Sequence, residues 1–305
     1  MKGRRAEDSG QDAGREVSRF GHERVTVMDS LEPVEPRGDP ANRQRARAEA
    51  RGSFARVGAR TEPARLFETG GLRWRFPRSS NLCEAAIVNT GGGVAGGDSY
   101  SVSVTLGQGA EVEATTPSAE RIYRSDGPAA AIGTRLALAA GARLFWLPQE
   151  TLMFDGARLE RLLEVETSSE AEFVIAETLV FGRLAMGEVR IEASLRDSWR
   201  VRRDGRLVFA DETRIDHAGA ALERKAVGAG ARALSTIVAS APNIEARLPD
   251  LRAALDAAGS SVESGASAFD ELIVVRLLAA SPERLRAALV ASLVALGGRK
   301  PRLWP

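Results

Sequence analysis

From about Gly52 onward the chain carries short runs in which apolar and polar residues alternate, the period-two signature of half-buried strands. The pattern predicts strands at 53–57, 65–76, 84–89, 99–106, 110–116, 130–138, 143–147, 159–166, 172–181, 189–195, 198–203 and 207–213. Turn residues separate them: Gly107-Gln108-Gly109, Ala140-Gly141, Ser168-Ser169 and Asp204-Gly205. The Asp-Gly pair is the strongest hairpin signal, because a type I′ turn takes positive φ at both central positions. Three segments, VTLGQGAEVEATTP, LALAAGARLFWLP and LEVETSSEAEFVIAE, repeat a strand–turn–Ala–strand layout about 30 residues apart. That spacing predicts stacked β layers, as in a sandwich or an irregular β-helix.

The last third changes period. Residues 244–258 place leucines at helical spacing, with Pro249 either ending the helix or starting it afresh. Residues 269–278 suit a buried strand. Ser281-Pro282-Glu283 opens a helix over 282–296, with Ser as N-cap, Pro at the first helical position and Gly297-Gly298 as its end. That helix is apolar on more than one face, so it packs against the body or a partner. Residues 1–50 are polar, mixed in charge and without an apolar period, which reads as a disordered tail. The expected fold is therefore mainly β, with layered sheets and a few C-terminal α-helices, in one domain over 51–305.

Composition narrows the chemistry. Lys plus Arg number 42 and Asp plus Glu 41, a net charge of +1, which argues against nucleic acid as the main partner. Cys83 is the only cysteine, so no internal disulfide forms and a reducing cytoplasm is the expected setting. No apolar run reaches the roughly 20 residues that span a bilayer, and no secretory signal opens the sequence, so no membrane is expected. His22 and His217 are the only histidines. So few nitrogen and sulfur donors exclude a His-based triad and a tight transition-metal store, and no tightly bound cofactor is expected.

Individual motifs weigh against enzyme chemistry. Gly91 to Gly96 satisfies G-x-G-x-x-G, but a strand-like segment follows where the dinucleotide fingerprint requires a helix N-terminus. A glycine-rich turn between strands, with Asp98 tying down its amides or lining a polar channel, is the better reading. Arg121 and Arg124 sit in a stretch that reads as an edge strand with a solvated face. Glu150 and Asp155 flank an apolar patch, and a carboxylate-based hydrolase on a β scaffold is the enzymatic alternative. Cys83 reads as a small buried hydrophobe. A plain protein-interaction module is the third alternative.

Four stretches together carry a resemblance to one family. NTGGGVAGGD (89–98), TTPSAERIYRS (115–125), GARLFWLPQETLMFDGA (141–157) and FGRLAMGE (181–188) are similar to successive segments of the urease accessory protein D (also called H) family. WRVRRDGRLVFADE and the terminal PRLWP also fit, so the resemblance covers about 50–305. Its motif positions include Gly92, Gly93, Gly96, Gly97, Tyr123, Arg124, Pro148, Gln149, Gly182, Arg183 and Gly187. Pro117 departs from the usual Gln, and Ala85 and Ala86 stand where many members carry a histidine. The resemblance implies a non-enzymatic scaffold for urease maturation. Its implied partners are accessory protein F, the GTPase accessory protein G and the urease apoprotein, with Ni²⁺ in transit through an internal passage. Weakly holding carboxylates suit a conduit better than imidazole or thiolate clusters. The expected lining acids are Asp98, Glu120, Glu150, Asp155, Glu177 and Glu188, and helix 282–296 is the expected contact for accessory protein F.

Overall fold

A computed structural model describes residues 45–78, 82–188 and 190–305, together with the backbone of 15–18. In chain order the first strands are β1 (Arg15–Ser18), β2 (Arg47–Val57), β3 (Arg60–Thr69), β4 (Leu72–Arg75) and β5 (Cys83–Asn89). Three coils follow. They are β6 (Ser99–Leu106) with β7 (Glu111–Thr115), then, past the short β8 (Glu120–Ile122), β9 (Ala130–Leu138) with β10 (Arg143–Leu147), and, past β11 (Thr151–Met153), β12 (Arg158–Thr167) with β13 (Glu172–Phe181). The remainder comprises β14 (Ser194–Arg203), β15 (Arg206–Ile215), α1 (Ala218–Glu223), β16 (Ala233–Ser240), α2 (Leu248–Ala257), β17 (Val262–Phe269), β18 (Leu272–Ala279) and α3 (Pro282–Ala295).

These strands build two stacked sheets, β1-β3-β2-β6-β9-β12-β14-β15 and β17-β18-β16-β13-β10-β7-β5-β4. The centre of each is parallel and the flanks are antiparallel, so a β-helix-like middle runs into sandwich edges. The weak sequence repeat is the corner of each coil. Ala110, Ala142 and Ala171 each donate an N–H to the residue three earlier, all at 3.1 Å, and all three are buried. Only a small side chain fits where one corner stacks on the next. Leu138 lies in register with both Leu106 and Thr167, so the three coils stack directly on one another.

Two cores result. The inter-sheet core includes Trp199, Phe173, Leu163 and Leu136. A second core lies between the other face of the β13 sheet and the helices, where Val174, Ala176 and Val180 meet Leu251, Leu285, Leu289 and Leu293. Strand β13 is accordingly buried on both faces, as a covered parallel strand should be. Ser281 caps α3, its hydroxyl accepting the Arg284 N–H at 3.2 Å, and Pro282 enters the first turn, as the residue order requires. Asp204 and Gly205 take φ of 50° and 78° in the expected hairpin between β14 and β15.

Several expectations change. The single strand expected at 65–76 is divided by a turn at Gly70-Gly71, where a Cβ on Gly70 would lie 2.2 Å from the Arg47 carbonyl oxygen. The two strands expected at 189–195 and 198–203 are one continuous β14, to which 189–195 contributes only Ser194 and Leu195. Val189 lies outside the described residues. Strands β16 and β17 and helix α1 were not anticipated; β16 (ALSTIVAS) is buried on nearly every residue, so no alternation marks it. The expected tail boundary at residue 50 falls inside β2, and Arg15–Ser18 pairs antiparallel with β3. Residues 1–14 and 19–44 of the expected disordered tail lie outside the described residues. Pro249 starts helix α2 afresh, after a 3-10 turn at Ile244–Arg247.

Candidate functional site

The corners at 107–110, 139–142 and 168–171 close one end of the sheet pair, whereas four longer connections close the other. These are 90–98, 116–129, 148–157 and 182–193, and they contain the distinctive family-like stretches. They stack as the coils do. Val94 bridges Ile122, β8 pairs parallel with β11, β11 with β13, and Arg124 bridges Ala157. Close stacking explains two glycines. A Cβ on Gly96 would sit 1.9 Å from Ser125 Oγ, and one on Gly93 would sit 2.4 Å from Tyr123 Cε2. Gly92, Gly97, Gly182 and Gly187 take positive φ in the same loops. The Tyr123 hydroxyl donates to the Gly92 carbonyl at 2.8 Å, and its ring meets Phe154 edge-on at 5.3 Å. Arg183 lies over the other ring, 4.0 Å from the Phe154 centroid.

Beneath these loops lies a cavity of about 150 Å³ between the sheets. Gly92, Ser118 and Arg121 line it at the exposed side, with Pro148 and Gln149 beside them. Trp146, Arg161, Glu177 and Thr178 line it in the interior. Glu120 and Glu177 are the two of the six candidate acids that face it. Glu120 accepts two contacts from Asn89 Nδ2 at 3.0 Å, and burial pushes its carboxyl above the ordinary carboxylate range. Glu177 accepts the Trp146 indole N–H at 3.0 Å, and its second oxygen lies 2.6 Å from Arg161 Nη1 without hydrogen-bond alignment. Burial pushes the Glu177 carboxyl up, while the Arg161 guanidinium opposes the shift.

Arg161 forms the hub of this interior. Its Nε and Nη2 donate to Asp197 at 2.9 and 2.6 Å, and Trp199 Nε1 adds a contact of 3.3 Å to the same carboxylate. Burial disfavours the guanidinium charge, yet Asp197 and Glu177 outweigh it and hold the group protonated. Neither Arg161 nor Asp197 is among the site residues expected from the sequence, although strand parity marks both. Arg161 shares its face with Leu159, Leu163 and Val165, and Asp197 shares its face with Leu195, Trp199 and Val201.

The other four candidate acids are engaged elsewhere. Asp98 accepts the amides of Ala46 at 2.9 Å and Ala95 at 2.8 Å, the turn-tying role foreseen for it. Glu150 is gripped by Arg286 Nε and Nη2 at 2.8 and 2.5 Å. Asp155 pairs with Arg124 and accepts the Glu192 amide at 2.9 Å. Glu188 accepts Arg183 Nε at 3.1 Å and the Arg183 amide at 2.9 Å, and these bonds hold its carboxyl below the usual range. Arg121 is exposed and Ile122 beside it is fully buried, the alternation expected of an edge strand with one solvated face. Cys83 is half-buried and its thiol is pushed up to about 11, which suppresses the reactive thiolate. His217 is exposed beside Glu192, and His22 lies outside the described residues.

A second charged cluster fastens the C-terminal residues. Glu84 and Glu113 face each other directly across β5 and β7, and both are buried. Like charges in that position repel, and Arg299 bridges them, reaching Glu113 Oε2 at 3.1 Å and Glu84 Oε1 at 3.0 Å. Among the described residues, no three His, Cys, Asp or Glu side chains form a metal-binding group, and no helix is long and apolar enough to cross a membrane.

Residues 46–305 match the family described as UreD urease accessory protein. The urease accessory protein UreD of Beijerinckia indica is 46% identical over 261 residues, covering 85% of this chain and 97% of the relative. That of Xanthobacter autotrophicus is 48% identical over 266 residues, 87% of this chain and 91% of the relative. Urease accessory protein UreD 3 of Methylorubrum extorquens is 46% identical over 283 residues, 90% of this chain and 94% of the relative.

Proposed function

The chain belongs to the UreD family of urease accessory proteins, and from that premise we propose that it is a cytoplasmic, non-enzymatic scaffold that helps deliver Ni²⁺ to the urease apoprotein. In this reading it acts with accessory protein F and the GTPase accessory protein G. The single observation that carries the passage is the cavity under the four stacked loops, with Glu120 near its rim and Glu177 in its interior. Two carboxylates in a lining that includes no imidazole or thiol offer hard oxygen donors that hold Ni²⁺ loosely and exchange it quickly, which suits a cargo in transit. Asp98, Glu150, Asp155 and Glu188 serve the same site indirectly, because they tie down the loops that enclose it. The hydrolase alternative is not favoured, since Arg286 and Arg124 occupy Glu150 and Asp155 and neither acid lines the cavity.

Glu120→Gln and Glu177→Gln, introduced separately and expressed with the urease operon, test the passage. The expected result is reduced urease activation at limiting nickel, with accessory proteins F and G still co-purifying. Wild-type activation by both variants removes the passage and leaves a plain interaction module. Helix α3 supplies a second probe. Leu285, Leu289 and Leu293 are buried against the body, so deleting the helix strips the core, whereas Val294 is 60% exposed. Val294→Asp is expected to weaken co-purification with accessory protein F; unchanged recovery removes α3 from that contact.

A further inference from the structure

Helix α3 and the residues after it reach back to the rim of the cavity. The Arg286 guanidinium spans three acceptors on two neighbouring residues: Glu150 Oε1 at 2.8 Å, Glu150 Oε2 at 2.5 Å and Gln149 Oε1 at 3.2 Å. The Trp304 ring lies against this guanidinium, with its centroid 5.6 Å from Arg286 Cζ. Trp304 Nε1 donates to Thr115 Oγ1 at 3.0 Å, and that hydroxyl donates to the Leu147 carbonyl at 2.6 Å. The held segment in turn holds the rim. The Glu150 carbonyl accepts the Glu120 amide at 2.9 Å, and the Gln149 amide donates to Thr116 Oγ1 at 2.9 Å. Glu120, Thr116 and Gln149 all line the cavity.

We infer that Arg286 is a positioning residue, a clamp through which the C-terminal helix sets the geometry of the cavity rim and of Glu120 in particular. This rests on the proposed passage for its functional meaning, though not for its geometry. An exposed ion pair would carry little weight here. This one is a fork onto a carboxylate whose side chain is 11% exposed, and it joins residues 136 positions apart. A lysine keeps the charge but cannot reach all three acceptors at once.

Hydrogen–deuterium exchange on the full-length protein tests the clamp at the amides of Glu120 and Gln149. Arg286→Met and Arg286→Lys are each expected to speed exchange there about tenfold, the loss of roughly one charge-assisted hydrogen bond. Leu255→Ala, which damages the helix-facing core away from the rim, is expected to lower the thermal midpoint without singling out those two amides. Trp304→Phe keeps an aromatic ring but loses the indole N–H, and a smaller acceleration is expected. Unchanged protection of both amides in the two Arg286 variants overturns the clamp. Urease activation separates the two readings. A loosened rim with reduced activation supports both, whereas a loosened rim with full activation upholds the clamp and removes the cavity from the route of Ni²⁺.

Discussion

The two ends of the sheet pair are made from the same strands and differ in almost everything else. At the corner end, each coil turns in a few residues with a small buried Ala and backbone hydrogen bonds. At the loop end, each connection runs about ten residues and carries charged side chains that tie it to its neighbours. Asp155 holds the 182–193 connection through the Glu192 amide, and Asn89 holds the 116–129 connection through Glu120. The corners need only the local turn, so their sequence is plain and repetitive. The loops must enclose a cavity without regular ladders, so their polar groups need specific partners. The distinctive sequence therefore gathers at one end.

The largest expected effect lies beneath the loops. Arg161→Ala leaves Glu177 and Asp197 buried without their cation and should destabilise the protein by about 3–5 kcal/mol in chemical denaturation. A loss below about 1 kcal/mol would mean that water already screens these charges, and the interior of the loop end would be no different from surface. The same substitution at a glycine should then separate the two ends. Gly96→Ala drives a Cβ to 1.9 Å from Ser125 Oγ and 2.8 Å from the Pro128 carbonyl oxygen. Such overpacking should cost about 3 kcal/mol. Gly109→Ala, at a corner, meets nothing within 4 Å and carries only the strain of its φ of 64°. It should cost about 1 kcal/mol, and equal thermal shifts for the two variants would mean that the two ends are packed alike.

The smallest expected effect is a change of pH dependence. The folded Glu120 carboxyl keeps its proton to higher pH than the ordinary 4.5, chiefly because it is buried. The stability linked to it is therefore complete below that pH and declines as pH rises through the raised value. Glu120→Gln removes this contribution, so its thermal midpoint should fall less steeply than the wild-type midpoint as pH rises from 4.5. Glu113 and Glu177 are shifted in the same direction by burial and keep part of the slope. Superimposable pH profiles would place Glu120 in water rather than at a buried rim.

Much of this was legible in the residues alone. Alternation located most central strands, capping residues located α3, and the repeat marked the three corners. The family-like motifs gather in the connections at one end of the molecule, yet their acids could not be sorted. Glu120 and Glu150 sit in similar polar stretches, but one faces the cavity and the other is gripped by Arg286 from a helix 136 residues away. Nothing local to Glu150 announces that partner. Arg161 was readable from strand parity, which shows an arginine on an apolar face, but its two carboxylates come from different sheets.

The order of residues by itself determined the periodicity, the turns, the caps and the family to which the chain belongs, because each depends on neighbours within a few positions or on ordered motifs. Only the tertiary structure decided which acids face the cavity, which serve as tethers, and how the C-terminal helix reaches the rim. Those outcomes depend on charges separated by tens to hundreds of residues, whose interaction is set by distance and burial, and the fold alone supplies both.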